Sequence, residues 1–130
     1  MPFHPDKLDP QLWQVVRALD GDLSRLHDAV TLLNRGRLMR LSWNFERAAN
    51  ELTGPPWTPA EADFHYAEGV GAWVVSQGED FYRQVYDDPS MMPAEYPPGA
   101  RIVSLVGELN FLFKDRVGVY LPPMPPGWLE

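Results

Sequence analysis

Apolar residues recur at helical spacing along most of the chain, and no segment of five or more residues shows the strict alternation typical of a strand. Clusters of prolines separate the helical segments from one another. The pattern predicts a single all-α domain over residues 1–130. We expect a compact bundle of five or six helices, followed by an extended proline-rich tail at residues 119–130.

The first predicted helix begins at Asp9-Pro10, because Asp9 can accept a hydrogen bond at the N-cap and Pro10 suits the first helical position. Gly21 ends this helix. A second helix follows and stops at Asn34-Arg35-Gly36. The inward positions of the second helix are Leu23, Leu26, Val30 and Leu33.

The third predicted helix runs from about Arg37 to Thr53. Its inward seam consists of Leu38, Leu41, Phe45, Ala48 and Leu52. The same helix carries a basic stripe of Arg37, Arg40 and Arg47, with Asn44 between them. Such a stripe either docks a phosphate or an acidic partner, or forms a solvated face balanced by the acids of the chain.

The fourth predicted helix begins with a capping box, in which Thr58 is the N-cap and Glu61 is the third helical residue. Apolar residues lie on two sides of this helix, which is typical of a central helix. Small residues such as Gly71 allow a neighbouring helix to approach closely. Gly78 either bends this helix or divides it into two.

The last predicted helix covers roughly residues 100–117, and Gly118 stands where a C-cap glycine belongs. Phe111 falls on the polar stripe of this helix. We therefore expect Phe111 to be covered by the tail around Met124 or Trp128, or by a second copy of the chain in a homodimer.

Composition excludes several classes of function. The 130 residues include no cysteine, so disulfides, thiol catalysis and cysteine-based metal sites are absent. The net charge of -7 disfavours binding to nucleic acid or to an anionic membrane. No targeting signal and no apolar stretch of about 20 residues stands in the sequence, so we expect a cytoplasmic protein.

The negative charge is unevenly distributed. The segment from Thr58 to Glu95 holds eight acids and one base, Arg83, and so accounts for the whole net charge. The acids either keep the protein soluble or steer a basic protein partner. We expect the partner to contact acids and aromatics after the fourth helix, namely Glu79, Asp80, Tyr82, Tyr86, Asp87 and Asp88.

One alternative is a metal site. Glu61, His65 and Glu68 share a helix face, and zinc or iron accepts this ligand set. The same stripe continues through Ser76 to Glu79, which is typical of a solvent face. The sequence has no nucleophile elbow and no phosphate-binding glycine loop, so it predicts no catalytic residue and no cofactor.

The residues Ala72–Gly78, then Tyr82, then Asp88-Pro89-Ser90, resemble the signature of domain-of-unknown-function family 4240. The stretch Glu108–Pro122 is similar to the closing segment of that family. Val70-Gly71 stands where members often have Phe-Arg. The resemblance implies an all-α bacterial protein and carries no established activity, so no catalytic residue is transferred.

These observations together favour a non-catalytic protein-interaction module, in the manner of an acidic immunity-type partner that neutralises a basic protein. The alternative is a small metal-binding protein or hydrolytic enzyme centred on His65.

Overall fold

The computed structural model of the protein describes residues 2–59, 61, 64–93 and 105–130. These ranges contain six α-helices, three short 3-10 helices and no strand, which confirms the all-α prediction. The α-helices are α1 (Pro10–Leu19), α2 (Leu26–Ala29), α3 (Arg35–Glu51), α4 (Phe64–Ser76), α5 (Glu79–Asp87) and α6 (Leu105–Val117). The 3-10 helices are Pro5–Lys7, Leu23–Arg25 and Pro89–Met91.

Helix α3, and not α4 as predicted, lies at the centre of the bundle, since α3 packs against α1, α4 and α6. The seam predicted for it is confirmed, since all five side chains are at most 2% exposed: Leu38, Leu41, Phe45, Ala48 and Leu52. The backbone carbonyl of Ala49 in α3 lies so close to Gly71 of α4 that no Cβ atom would fit there. The predicted close approach of a neighbouring helix at Gly71 is therefore also confirmed.

Helix α1 begins as predicted. The carboxylate of Asp9 accepts a hydrogen bond from the backbone N–H of Gln11 at 2.9 Å, and Pro10 is the first helical residue. The helix ends at Leu19; its C-cap residue Asp20 takes the left-handed conformation (φ 47°), and Gly21 follows with φ 76°. The chain therefore reverses sharply after α1, and Asp20 stands at the surface.

The second predicted helix is shorter than expected. A 3-10 turn and the four residues of α2 replace it, although Leu26 and Val30 are buried as predicted. Asn34, predicted as part of a stop signal, is the N-cap of α3, because its side-chain oxygen accepts from the backbone N–H of Arg37 at 2.9 Å. Helix α3 thus begins at Arg35, two residues before the predicted start.

The predicted capping box at Thr58 is wrong. Thr58 is buried, and its hydroxyl donates to the carbonyl of Leu52 at 2.6 Å, which satisfies a backbone acceptor just after α3 instead of starting α4. Helix α4 begins at Phe64. The predicted division at Gly78 is confirmed, since this residue has φ 109° and separates α4 from α5.

Helix α6 and its end agree with the prediction over the described residues. Leu109 and Phe113 are buried, and Gly118, with φ 88°, donates its N–H to the carbonyl of Lys114 at 2.9 Å. The first five residues of the predicted helix, residues 100–104, lie outside the described part of the chain.

The segment after α6 packs on α3. The indole N–H of Trp43 donates to the carbonyl of Pro122 at 2.9 Å, and the ring of Trp43 meets that of Trp128 edge to face at 5.2 Å. Phe111 is not covered by this segment, because 74% of its surface is exposed. The expected tail cover is therefore wrong, and the homodimer contact through Phe111 stays a prediction.

Arg47 does not belong to a basic surface stripe. Its side chain is only 11% exposed, and its guanidinium pairs with Glu51 at 2.7 Å and with Glu130 at 3.7 Å. The same guanidinium lies 4.3 Å from the ring centre of Phe3. Arg47 thus joins α3 to a residue on either terminal segment.

The described helices include none that combines the length and the apolar character needed to cross a membrane.

Candidate functional site

Helix α5 carries most of the residues predicted to contact a partner. It is strongly amphipathic: Tyr82 and Val85 are buried, while Asp80 and Asp87 are exposed. Glu79 and Asp80 occupy its first turn, where the partial positive charge of the helix N-terminus favours carboxylates. The sequence pattern thus places acids outward and aromatics inward on the same short helix.

Tyr82, one of the two predicted aromatic anchors, belongs to the core. It is fully buried, its hydroxyl donates to the carbonyl of Ala48 at 2.8 Å, and its ring lies 5.5 Å from that of Trp13. Burial, reinforced by the charge of Glu51, raises the pKa of Tyr82 well above its ordinary value. A side chain without exposed surface does not contact a partner, so this prediction is corrected.

Tyr86, the second predicted anchor, is half-buried and already has several contacts. Its ring stacks on Trp57 at 5.1 Å and meets Phe3 edge to face at 6.3 Å, and its hydroxyl donates to the carbonyl of Phe3 at 3.2 Å. The indole N–H of Trp57 in turn donates to the carbonyl of Val85 at 2.9 Å. Tyr86 therefore fastens the loop after α3 and the N-terminal segment to the end of α5.

Glu79 is partly neutralised by Arg83. The Arg83 guanidinium donates to Glu79 at 3.1 Å and to Asp6 at 2.7 Å. The hydrogen bond from Arg83 lowers the pKa of the Asp6 carboxyl, and the same bond raises the pKa of Arg83. This partly exposed triad ties the N-terminal segment to α5.

The other predicted acids are more open. Asp80, Asp87 and Asp88 are exposed, and no cation of the described residues lies within ion-pair distance of them. Asp88 caps the 3-10 helix that follows, accepting from the backbone N–H of Ser90 at 3.2 Å and also from the Ser90 hydroxyl at 2.6 Å. Three uncompensated carboxylates therefore lie on and just after α5.

An open cleft of about 500 Å³ separates the end of α1 from the start of α5. Its lining includes the apolar side chains of Trp13 and Val16, together with three acidic residues and one arginine: Asp20, Glu79, Asp80 and Arg17. We call this feature the acidic cleft. It brings Glu79 and Asp80 together with Asp20, which sequence reasoning missed.

The two groups of predicted acids do not form one compact site. Asp87 follows Glu79 by eight residues along α5, which corresponds to about 12 Å at the helical rise. Asp87 and Asp88 do not line the acidic cleft. The predicted contact surface therefore extends along the length of α5, with the acidic cleft at one end and the Asp87–Asp88 pair at the other. We call this surface the ridge.

Comparisons of the chain with protein-family models, with curated proteins and with solved structures gave no match.

The alternative metal site is only partly within the described structure. Glu61 is exposed, and the side chains of His65 and Glu68 lie outside the described residues. Among the side chains that are described, no three histidine, aspartate or glutamate residues converge as metal ligands would.

Proposed function

We propose that the protein is a non-catalytic interaction module, an acidic immunity-type partner that binds and neutralises a basic protein. The observation that carries the proposal is the acidic cleft, whose lining combines the exposed carboxylates Asp20 and Asp80 with the apolar side chain of Trp13. A lining that is partly apolar and partly acidic suits the amphipathic side chain of arginine or lysine, whose stem is apolar and whose head is cationic.

The exposed carboxylates supply attraction at long range. Individual exposed ion pairs contribute about 0.2–1 kcal/mol each, so they set orientation and association rate more than final affinity. Arg83 already neutralises part of the charge of Glu79. Asp20 and Asp80 are therefore the two acids of the cleft on which recognition depends most.

A bacterial, cytoplasmic neutralising protein that resembles domain-of-unknown-function family 4240 is consistent with an all-helical chain of net charge -7. The half-buried Tyr86 and the pair Asp87 and Asp88 extend the contact surface beyond the acidic cleft.

A labelled hexa-arginine peptide is a suitable probe for the cleft, with binding followed by fluorescence anisotropy at low ionic strength. The double variant Asp20→Asn with Asp80→Asn removes both key charges. Asparagine also tolerates the left-handed conformation at position 20. We expect the affinity for the peptide to fall by about fivefold or more.

The matched control is the double variant Asp28→Asn with Asp115→Asn. Both residues are exposed, neither lines the acidic cleft, and the change in net charge is the same. Its affinity should stay close to that of the unmodified protein. Equal losses in the two double variants would show that only net charge attracts the peptide, and the proposal would then fail.

A further inference from the structure

Five arginines have no carboxylate within ion-pair distance among the residues that the structure describes, although the chain holds 18 acids. They are Arg17, Arg35, Arg37, Arg40 and Arg116, and the last of these donates instead to the carbonyl of Val30 at 3.1 Å. By contrast, Arg47 and Arg83 each have two carboxylate partners. Arg37 and Arg40 are both exposed and lie one helical turn apart near the start of α3; the Nε of Arg40 donates to the carbonyl of Gly36 at 3.4 Å.

These two arginines line a groove of about 380 Å³ between α3 and the start of α1. Gln11 and Gln14 line the groove from α1, where their spacing of three residues places them on one helix face. The groove therefore offers two planar guanidinium forks from one helix and two amide groups from the other.

A buried asparagine fixes the two walls relative to each other. Asn44 is only 2% exposed; its side-chain oxygen accepts from the backbone N–H of Asp9 at 2.8 Å, and its amide donates to the carbonyl of Arg40 at 2.7 Å. The residue that caps α1 is thus tied to the turn of α3 that carries Arg40. The walls of the groove are held in place before any ligand arrives, which lowers the cost of binding.

We propose that this groove binds a phosphate group, as the free ion or as a phosphate monoester. A guanidinium group donates a pair of hydrogen bonds to two phosphate oxygens. Two guanidinium groups carry two positive charges, so they suit a phosphate dianion better than they suit a carboxylate, which carries one negative charge. Asp9 also lines the groove, and one of its oxygens accepts from the N–H of Gln11. Its charge opposes the ligand and limits the affinity. The site is separate from the acidic cleft and goes beyond the proposed function.

Backbone amide chemical shifts provide the test, with inorganic phosphate titrated against sodium chloride at constant ionic strength. We expect saturable shifts confined to Gln11, Gln14, Arg37 and Arg40. Arg37→Gln and Arg40→Gln, each at an exposed position, should weaken binding by about tenfold. Asp9→Asn retains a capping side chain and should tighten binding by about threefold.

Arg35→Gln is the matched control, since Arg35 is exposed on the same first turn of α3 but does not line the groove. It should leave the phosphate affinity unchanged. A parallel titration with glycerol phosphate distinguishes a phosphate monoester from the free ion. If glycerol phosphate binds more tightly than inorganic phosphate, the groove is assigned to a monoester. If the two bind equally, the groove is assigned to phosphate itself. Shifts that do not saturate, or an equal loss in Arg35→Gln, would overturn the proposal. No basic partner is needed, so this result is independent of the peptide experiment.

Discussion

The carbonyl oxygen of Ala49 lies only 2.5 Å from the point where a Cβ atom on Gly71 would stand. Real Cβ atoms do not come so close to a backbone oxygen, so α3 and α4 meet here at a distance that only glycine allows. The glycine is thus required by packing, although it is a poor helix former.

We expect Gly71→Ala to destabilise the protein by about 1–3 kcal/mol, because the two helices must move apart. Gly36→Ala is the control. An added Cβ there meets nothing closer than 3.6 Å, so helix propensity should raise stability by up to about 1 kcal/mol. Urea unfolding of both variants measures the difference. An unchanged free energy of unfolding in Gly71→Ala would show that α3 and α4 are farther apart than described.

Tyr82 should make the protein sensitive to alkali. Burial raises its pKa, so above about pH 10 the unfolded chain ionises this phenol while the folded chain keeps it protonated. The ionisation of Tyr82 therefore has no effect on the free energy of unfolding below that pH, and it lowers this free energy as the pH rises further. Tyr82→Phe should cost about 1 kcal/mol at neutral pH, through loss of the hydrogen bond to Ala48, and should show a flatter decline above pH 10. Thermal unfolding at a series of pH values measures both proteins. If the melting temperatures of the unmodified protein and of Tyr82→Phe decrease equally steeply above about pH 10, the expectation is contradicted.

The Asp87–Asp88 end of the ridge should act on the rate of association. We expect Asp87→Lys with Asp88→Lys to slow the binding of the hexa-arginine peptide and to weaken its salt dependence, as measured by stopped-flow fluorescence. The comparison is Glu108→Lys with Asp115→Lys, which reverses two exposed charges on α6. If both pairs slow association equally, the ridge has no role of its own.

Phe111 should mediate self-association. With 74% of its surface exposed on the outer side of α6, it is the residue through which we expect a second copy to bind. Sedimentation at increasing concentration should detect a dimer that Phe111→Ser abolishes. Leu32→Ser, at a position 94% exposed on another segment, should leave the dimer intact. A protein that stays monomeric at all concentrations would refute the expectation.

Trp43 should hold residues 121–130 against α3. Trp43→Phe removes the hydrogen bond to the carbonyl of Pro122, so hydrogen exchange in this segment should accelerate. Trp57→Phe removes an equivalent bond to Val85 and should accelerate exchange near α5 instead. Acceleration of residues 121–130 in both variants would indicate a general loss of stability rather than a specific contact.

The sequence predicted those features of the helices that depend only on residues within the same helix or at its ends. The seam of α3 follows from periodicity alone, and the caps at Asp9 and Gly118 follow from residue preferences at helix ends. The role of Thr58 was not predicted correctly, because a threonine hydroxyl can either cap the helix that follows it or donate to a carbonyl at the end of the helix that precedes it. Only the three-dimensional position of Leu52 distinguishes these two roles.

The candidate site depends on contacts between distant segments, which explains why it was predicted only in part. Glu79 and Asp80 stand out through the local concentration of acids. Asp20 precedes them by about sixty residues and joins them only because α1 packs beside α5. The burial of Tyr82 similarly depends on Trp13 and Ala48, which belong to other helices.

The guanidinium of Arg47 creates a thermodynamic linkage between the two terminal segments. If Phe3 is displaced, water reaches the guanidinium and screens its attraction to Glu130; if Glu130 leaves, the contact with Phe3 is weakened in the same way. Fraying at one segment therefore weakens the contact that Arg47 makes with the other, and displacement of either segment should slightly increase fraying of its counterpart.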